Sequence, residues 1–228
     1  MTRPIKLLVA ASIAVALLLG SAAAAVATPS LTLSSSRTTV TYAQQTWLKL
    51  LSADATVSVP ATVTIQYRPI GSDTWRKLRT VSANRTADGT VTVAVSPYFL
   101  KSITGFRAIS GGLESEVSTV AVRARLSVAK TAKSAKRHHR ITVKGFIWPR
   151  HAAGSRPVDV TIWKWEGGAW VQKATVHPRI VGKTTDGSRW QFTRWIDHDD
   201  KGAWRLRVSH QDMKHAASLS GFSYIRVR

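Results

Sequence analysis

The chain has 228 residues, 33 Lys and Arg against 12 Asp and Glu, a formal charge of +21 and no cysteine. That length holds a leader and two small domains. The absence of thiols excludes a disulfide-closed core, and the charge favours anionic partners of any kind without choosing among them.

The first predicted element is an export signal. Arg3 and Lys6 make a positive start, Leu7 to Gly20 is almost wholly apolar, and Ala25-Val26-Ala27 is a small-x-small cleavage site. Residues 1–27 are therefore expected to be a signal peptide, with the mature chain starting near Thr28. A retained single-span anchor is the alternative, and the short apolar stretch argues against it. No Cys follows the apolar run, which excludes the lipid-anchored form, and no second long apolar run follows. The mature chain is expected to have no transmembrane span.

Short runs of alternating apolar and polar residues come next, broken by Ser, Thr, Gly and Asp every eight to twelve residues. Leu31 and Leu33, Thr46 to Leu50, and Val63, Ile65 and Tyr67 all follow a period of two. Pro97 to Ser102 predicts a helical turn crossing between sheets, and Glu116 to Val122 a closing strand. No segment of the mature chain has a 3.6-residue apolar period, so the class is all-β.

A second copy of this pattern starts at Leu126. The stretch VDVTIWKWEGGAWV, Val158 to Val171, answers ATVTIQYRPIGSDTW, Ala61 to Trp75, with the turn two residues shorter. Asp88-Gly89 is answered by Asp186-Gly187, and Phe106-Arg107-Ala108-Ile109 by Trp204-Arg205-Leu206-Arg207-Val208. A unit of about a hundred residues buries its own core, unlike the short units of a solenoid. The predicted architecture is two tandem immunoglobulin-like antiparallel β-sandwich domains, 28–125 and 126–228, joined by a very short linker around Arg123 to Leu126. With no disulfide, the nine Trp residues are the expected source of packing.

The mature chain resembles a pair of bacterial immunoglobulin-like modules, of the fibronectin-III-like or big type found in exported actinobacterial proteins. The resemblance rests on the hydrophobic-x-hydrophobic strands, the Gly-Gly-x-Trp hairpin, the Asp-Gly turn and the Trp-Arg strand. It implies a fold and not an activity.

Charge is concentrated in the second copy, where Leu126 to Arg228 carries 20 basic and 7 acidic side chains and all seven His. The basic run Lys130, Lys133, Lys136, Arg137 and Arg140, with Lys144, is the candidate contact for an anionic polymer. Its bland reading is a solvated, solubilising loop. Trp163 and Trp165 follow Val160 and Ile162, and alternation sends Trp163 to the outer face. There it stacks on a sugar ring or packs on the neighbouring domain or sheet. His198, His210, Asp212 and His215 are a weak candidate metal set, set against a polar loop in solvent.

No G-x-S-x-G elbow, H-E-x-x-H helix, phosphate loop, calcium loop or ribonucleoprotein motif is present. The expectation is a secreted or wall-associated, non-enzymatic binding module without a cofactor. Its partner would be an anionic polymer or glycan of the cell envelope, or another envelope protein, and not specific nucleic acid. The competing expectation is a small metal-dependent or Ser/His hydrolase centred on the second domain.

Overall fold

The computed structural model describes residues 31–52, 62–82 and 90–228. The expected leader, its cleavage site and the Asp88-Gly89 turn lie outside them.

In the first half, strands β1 (Leu31–Ser35), β3 (Thr46–Ser52) and β6 (Thr90–Val95) form one antiparallel sheet in the order β1-β3-β6. The facing sheet takes β2 (Thr39–Thr41), β4 (Thr62–Pro69), β5 (Arg76–Ser82), β7 (Thr104–Ser110) and β9 (Ser118–Arg123), in the order β2-β9-β7-β4-β5. The short β8 (Leu113–Glu114) pairs with β7. Alternation puts one side of each strand inward. Leu33, Leu48 and Val93 of one sheet meet Ile65, Phe106 and Val120 of the other in a single buried cluster. This is a β-sandwich.

The second half repeats the plan. One sheet runs β10 (Arg125–Leu126), β12 (Arg140–Trp148), β16 (Ser188–Trp195) and β15 (Arg179–Lys183). The other runs β11 (Ser134–Ala135), β18 (Ser218–Val227), β17 (Gly202–His210), β13 (Asp159–Glu166) and β14 (Ala169–Val176). A second buried cluster lies between them, drawn from Ala124 to Val227. Among the described residues the only helical turns are two 3-10 turns, Pro97–Phe99 and His198–Asp200, each just before the strand that supplies the Arg of the repeat. The described residues are all-β, in two immunoglobulin-like sandwiches.

The duplication extends to irregularities. In each half a short strand leaves the first sheet to pair in parallel with the last strand of the other, β2 with β9 and β11 with β18. The basic run thus contains a sheet-switching strand and is not a linker. Each hairpin also carries a bulge directly after an Ile, between Ile65 and Gln66 and between Ile162 and Trp163. A bulge bends and twists its strand, so the same kink recurs at the same place. In the tighter second turn Gly167 and Gly168 sit at φ 59° and 85°, where a two-residue hairpin needs residues without a Cβ penalty.

The cores differ from the expectation in one respect. Of nine Trp, only Trp190 and Trp204 are buried, both in the second half, and the first core is aliphatic apart from Phe106. Packing rests on Val, Ile and Leu, and most Trp lie on the outer faces of the sheets.

Ala124, itself buried, is the one residue between β9 and β10. Arg125 already pairs with Trp148, inside the second half's sheet. The halves also meet through the loop between β17 and β18. The N–H of Ile103 donates to the Lys214 carbonyl at 2.8 Å, and that of Ala216 to the Val122 carbonyl at 2.9 Å.

Candidate functional site

The outer face of the β13-β14-β17-β18 layer carries the largest group of aromatic and cationic side chains. Register places it: Trp163 is opposite Arg205, Arg205 opposite Tyr224, Arg207 opposite Phe222, and Trp165 opposite Trp170. Residues directly opposite on one face interact. The Arg205 guanidinium lies 4.4 Å from the Phe222 ring centre, 4.7 Å from Trp170 and 5.2 Å from Trp163. A planar, weakly hydrated cation is stabilised among ring faces that a compact ammonium would fit less well. The first half repeats the motif in smaller form, with Arg107 4.4 Å from Trp75.

Sequence alternation therefore places Trp163 correctly on the outer face, and Trp165 joins it there, 46% exposed. Trp163 contacts the Phe222 ring at 5.8 Å within its own sheet.

Beside this face an open groove of about 740 Å³ is lined by Lys130, Lys133, Arg226, Trp170, Tyr224 and Ser223, among others. No carboxylate lines it. Tyr224, 59% exposed, is its most open ring. The parallel pairing of β11 with β18 sets Ser134 against Arg226, which brings the basic run beside the aromatic strand. Arg226 was not signalled in the sequence as a contact residue, because only that parallel pairing moves it next to Lys133.

The remaining basic candidates do not line this groove. Arg140 and Lys144 project from β12, in the opposite sheet. Lys144 is tied to Lys130 only through paired backbone bonds, at 2.7 and 3.0 Å. Lys136 and Arg137 follow β11, and the Arg137 N–H donates to the terminal Arg228 carbonyl.

The His and Asp candidates separate as well. His198 sits in the 3-10 turn, 73% exposed in its side chain, and pairs with Asp199. That turn comes just before β17 begins, whereas His210 is the last residue of β17. Nine extended residues at about 3.3 Å each put the two roughly 25 Å apart. His198 is therefore removed from the set. His151, which sequence reasoning missed, takes its place: its ring lies 5.2 Å from that of His210 and 6.1 Å from that of His215. β12 and β17 end at the same pole of the sandwich, so His151, three residues beyond Trp148, meets His210. A strand assignment that carried direction as well as extent would have shown this.

Asp212 organises the cluster. Its Oδ1 accepts from the backbone N–H groups of Lys214 and His215, at 2.8 and 2.7 Å, and lies 2.9 Å from His215 Nδ1. Partial burial pushes its carboxyl up, but His215, the Lys214 N–H and His210 outweigh it and hold it below the ordinary value. His151 moves the other way. Burial first, then the neighbouring His210 and His215, push its imidazole down to about 4 against the pull of Asp212. His215 Nε2 lies 3.0 Å from the Lys101 carbonyl, so this ring spans the two halves.

No protein-family model matches the chain, and no curated protein matches it. Among solved structures, a structure of murine CRIg is 16% identical and covers 46% of this chain and 97% of that one, with a TM-score of 0.28.

Proposed function

We propose that the protein is an exported, non-enzymatic bacterial binding module of immunoglobulin-like type, and that the groove beside β18 takes an anionic or carbohydrate polymer of the cell envelope. The immunoglobulin-like β fold suggests a binding module in general. The finer reading rests on one observation: Lys130, Lys133 and Arg226 share an open, carboxylate-free groove with Tyr224 and Trp170. Cations pair with carboxylate or phosphate groups, and flat rings stack against the apolar faces of sugars. An extended polymer fits an open groove better than a small molecule, which prefers an enclosed pocket.

The reading as a Ser/His hydrolase has less support. Ser188 Oγ engages the backbone N–H and carbonyl of His151, not its ring. Among the described residues no Ser hydroxyl is hydrogen-bonded to an imidazole.

The test is retention of the full protein on purified actinobacterial cell wall at rising salt. Charge contacts are screened over about 10 Å at 0.1 M, so release at moderate ionic strength is expected. The double variant Lys133→Ala/Arg226→Ala should bind at least tenfold more weakly. Tyr224→Ala should cost about 0.5–1.5 kcal/mol of binding. Wild-type protein that is not retained, or variants that match it, would remove this assignment.

A further inference from the structure

The cluster at the junction contains polar atoms that the fold leaves without partners. His210 is 4% exposed, and its Nδ1 faces the Pro157 carbonyl. A carbonyl oxygen only accepts, so Nδ1 carries the proton and Nε2 is left with a lone pair in the neutral ring. That Nε2 is buried and has no hydrogen-bond partner. His151 Nε2 is buried and unpartnered in the same way. Two unmatched imidazole nitrogens in one buried cluster, one of them a lone pair, are costly unless something between them satisfies both.

Asp212 supplies the third atom. Its Oδ1 is occupied by two backbone N–H groups and His215, while Oδ2 lies 3.5 Å from His210 Nε2. A carboxylate oxygen facing an imidazole lone pair at that distance is repulsive unless a cation separates them. A proton on His210 Nε2 would fill that gap but would leave His151 Nε2 orphaned. An ion satisfies all three.

We propose that His151 Nε2, His210 Nε2 and Asp212 Oδ2 form a binding site for a divalent transition-metal ion, with zinc the ion their chemistry fits. Two imidazoles and one carboxylate are a donor set that zinc takes with one further position open to water. One ligand-capable atom from each of His151, His210 and Asp212 lies within 4.8 Å of the other two. Tetrahedral zinc with bonds near 2.1 Å holds its ligands about 3.4 Å apart. The Asp212 to His210 separation already matches this, and His151 closes the remainder by side-chain rotation. The hydrogen bond behind the ligand fits as well, because a ligating His characteristically gives its other N–H to a backbone carbonyl, as His210 does to Pro157. An open groove of about 480 Å³, lined in part by His210, Asp212 and Arg156, gives an ion a path from solvent.

His215 has a different role. Its Nε2 is engaged by Lys101 O and its Nδ1 by Asp212 Oδ1, so it orients the carboxylate rather than ligating. The ion is thereby linked through Asp212 and His215 to the first half of the chain.

Calorimetric titration of ZnCl2 into the full protein, freed of metal with chelator, tests the site. The expected result is one ion per chain. Affinity should fall at least tenfold in His151→Ala and in Asp212→Asn, and stay unchanged in His138→Ala/His139→Ala. Imidazole 15N resonances of the wild type give a second measurement that needs no variant. Zinc should shift the Nε2 signals of His151 and His210 and leave those of His138, His139, His177 and His198 in place. Absence of saturable binding, stoichiometric binding that survives His151→Ala and Asp212→Asn, or shifts confined to the exposed His residues would overturn the assignment.

Discussion

His151 shows how one side chain links burial to pH. Its folded-state value is pushed down to about 4 from an ordinary 6.5, and the groups facing it are His210, His215 and Asp212. Between these two values the unfolded chain binds a proton there and the folded chain does not. Stability contributed by this residue is therefore fully present above about 6.5 and declines as pH falls toward 4. In metal-free protein the urea midpoint of the wild type should drop faster over that window than that of His151→Gln. Parallel curves would mean that the burial of His151 has no bearing on stability. This residue was not legible in the sequence, since nothing about Trp148-Pro149-Arg150-His151 points toward a His 59 positions later. Asp212 and His210 were legible as neighbours in sequence, although β17 ends at His210 and Asp212 stands in the loop after it. His198 misled because proximity in sequence to the His210 strand is the opposite of proximity in space when the strand between runs the length of the sandwich.

At the scale of elements, the pattern of period two was enough to identify the hairpins that follow Val63 and Val160 and the closing strands; the helical turn expected over Pro97 to Ser102 is a shorter 3-10 turn, Pro97–Phe99. β15 was missed, since Arg179 to Lys183 contains a Gly and two cations against two apolar residues. The buried side of such a short strand is one Ile. Nor does the sequence say why β12 carries Gly145 in a strand interior, a position where Gly weakens pairing. The register supplies the reason: Gly145 is directly opposite Trp190, whose fully buried ring covers it. A Cβ there would lie 2.3 Å from Trp190 Cζ2 and 2.9 Å from Ser127 Oγ. The ring is fully buried, so its retreat would displace core neighbours. Gly145→Ala should therefore lower unfolding free energy by about 1–3 kcal/mol through overpacking, read as a drop in the denaturant midpoint at unchanged slope. A neutral effect would mean that Trp190 is less tightly held than its burial implies.

For the whole molecule the decisive region is the junction, because inter-domain motion is the default unless an interface resists it. Here hydrogen bonds across the junction supply resistance. Ala124 alone joins β9 to β10, and the β17–β18 loop bonds to Ile103, Val122 and Lys101. On another side Tyr42 of the first half is pushed above its ordinary value by burial and by the carboxylate of Asp186 in the second, against Arg125. The polymer groove sits at the opposite pole, near the start of β17 and the end of β18, so docking leaves it open. A one-residue connection restricts the halves to few orientations, and the loop contacts select among them. Replacing Ala124 with a flexible Gly/Ser segment of about ten residues should then broaden the distance distribution in small-angle X-ray scattering, since such a linker spans about 5–6 Å times the square root of its length. Melting of each half should change little, because neither core loses more than the Ala124 methyl. An unchanged scattering profile would instead assign the orientation to the loop contacts, and Asp212→Ala, which frees that loop, would become the variant that loosens it.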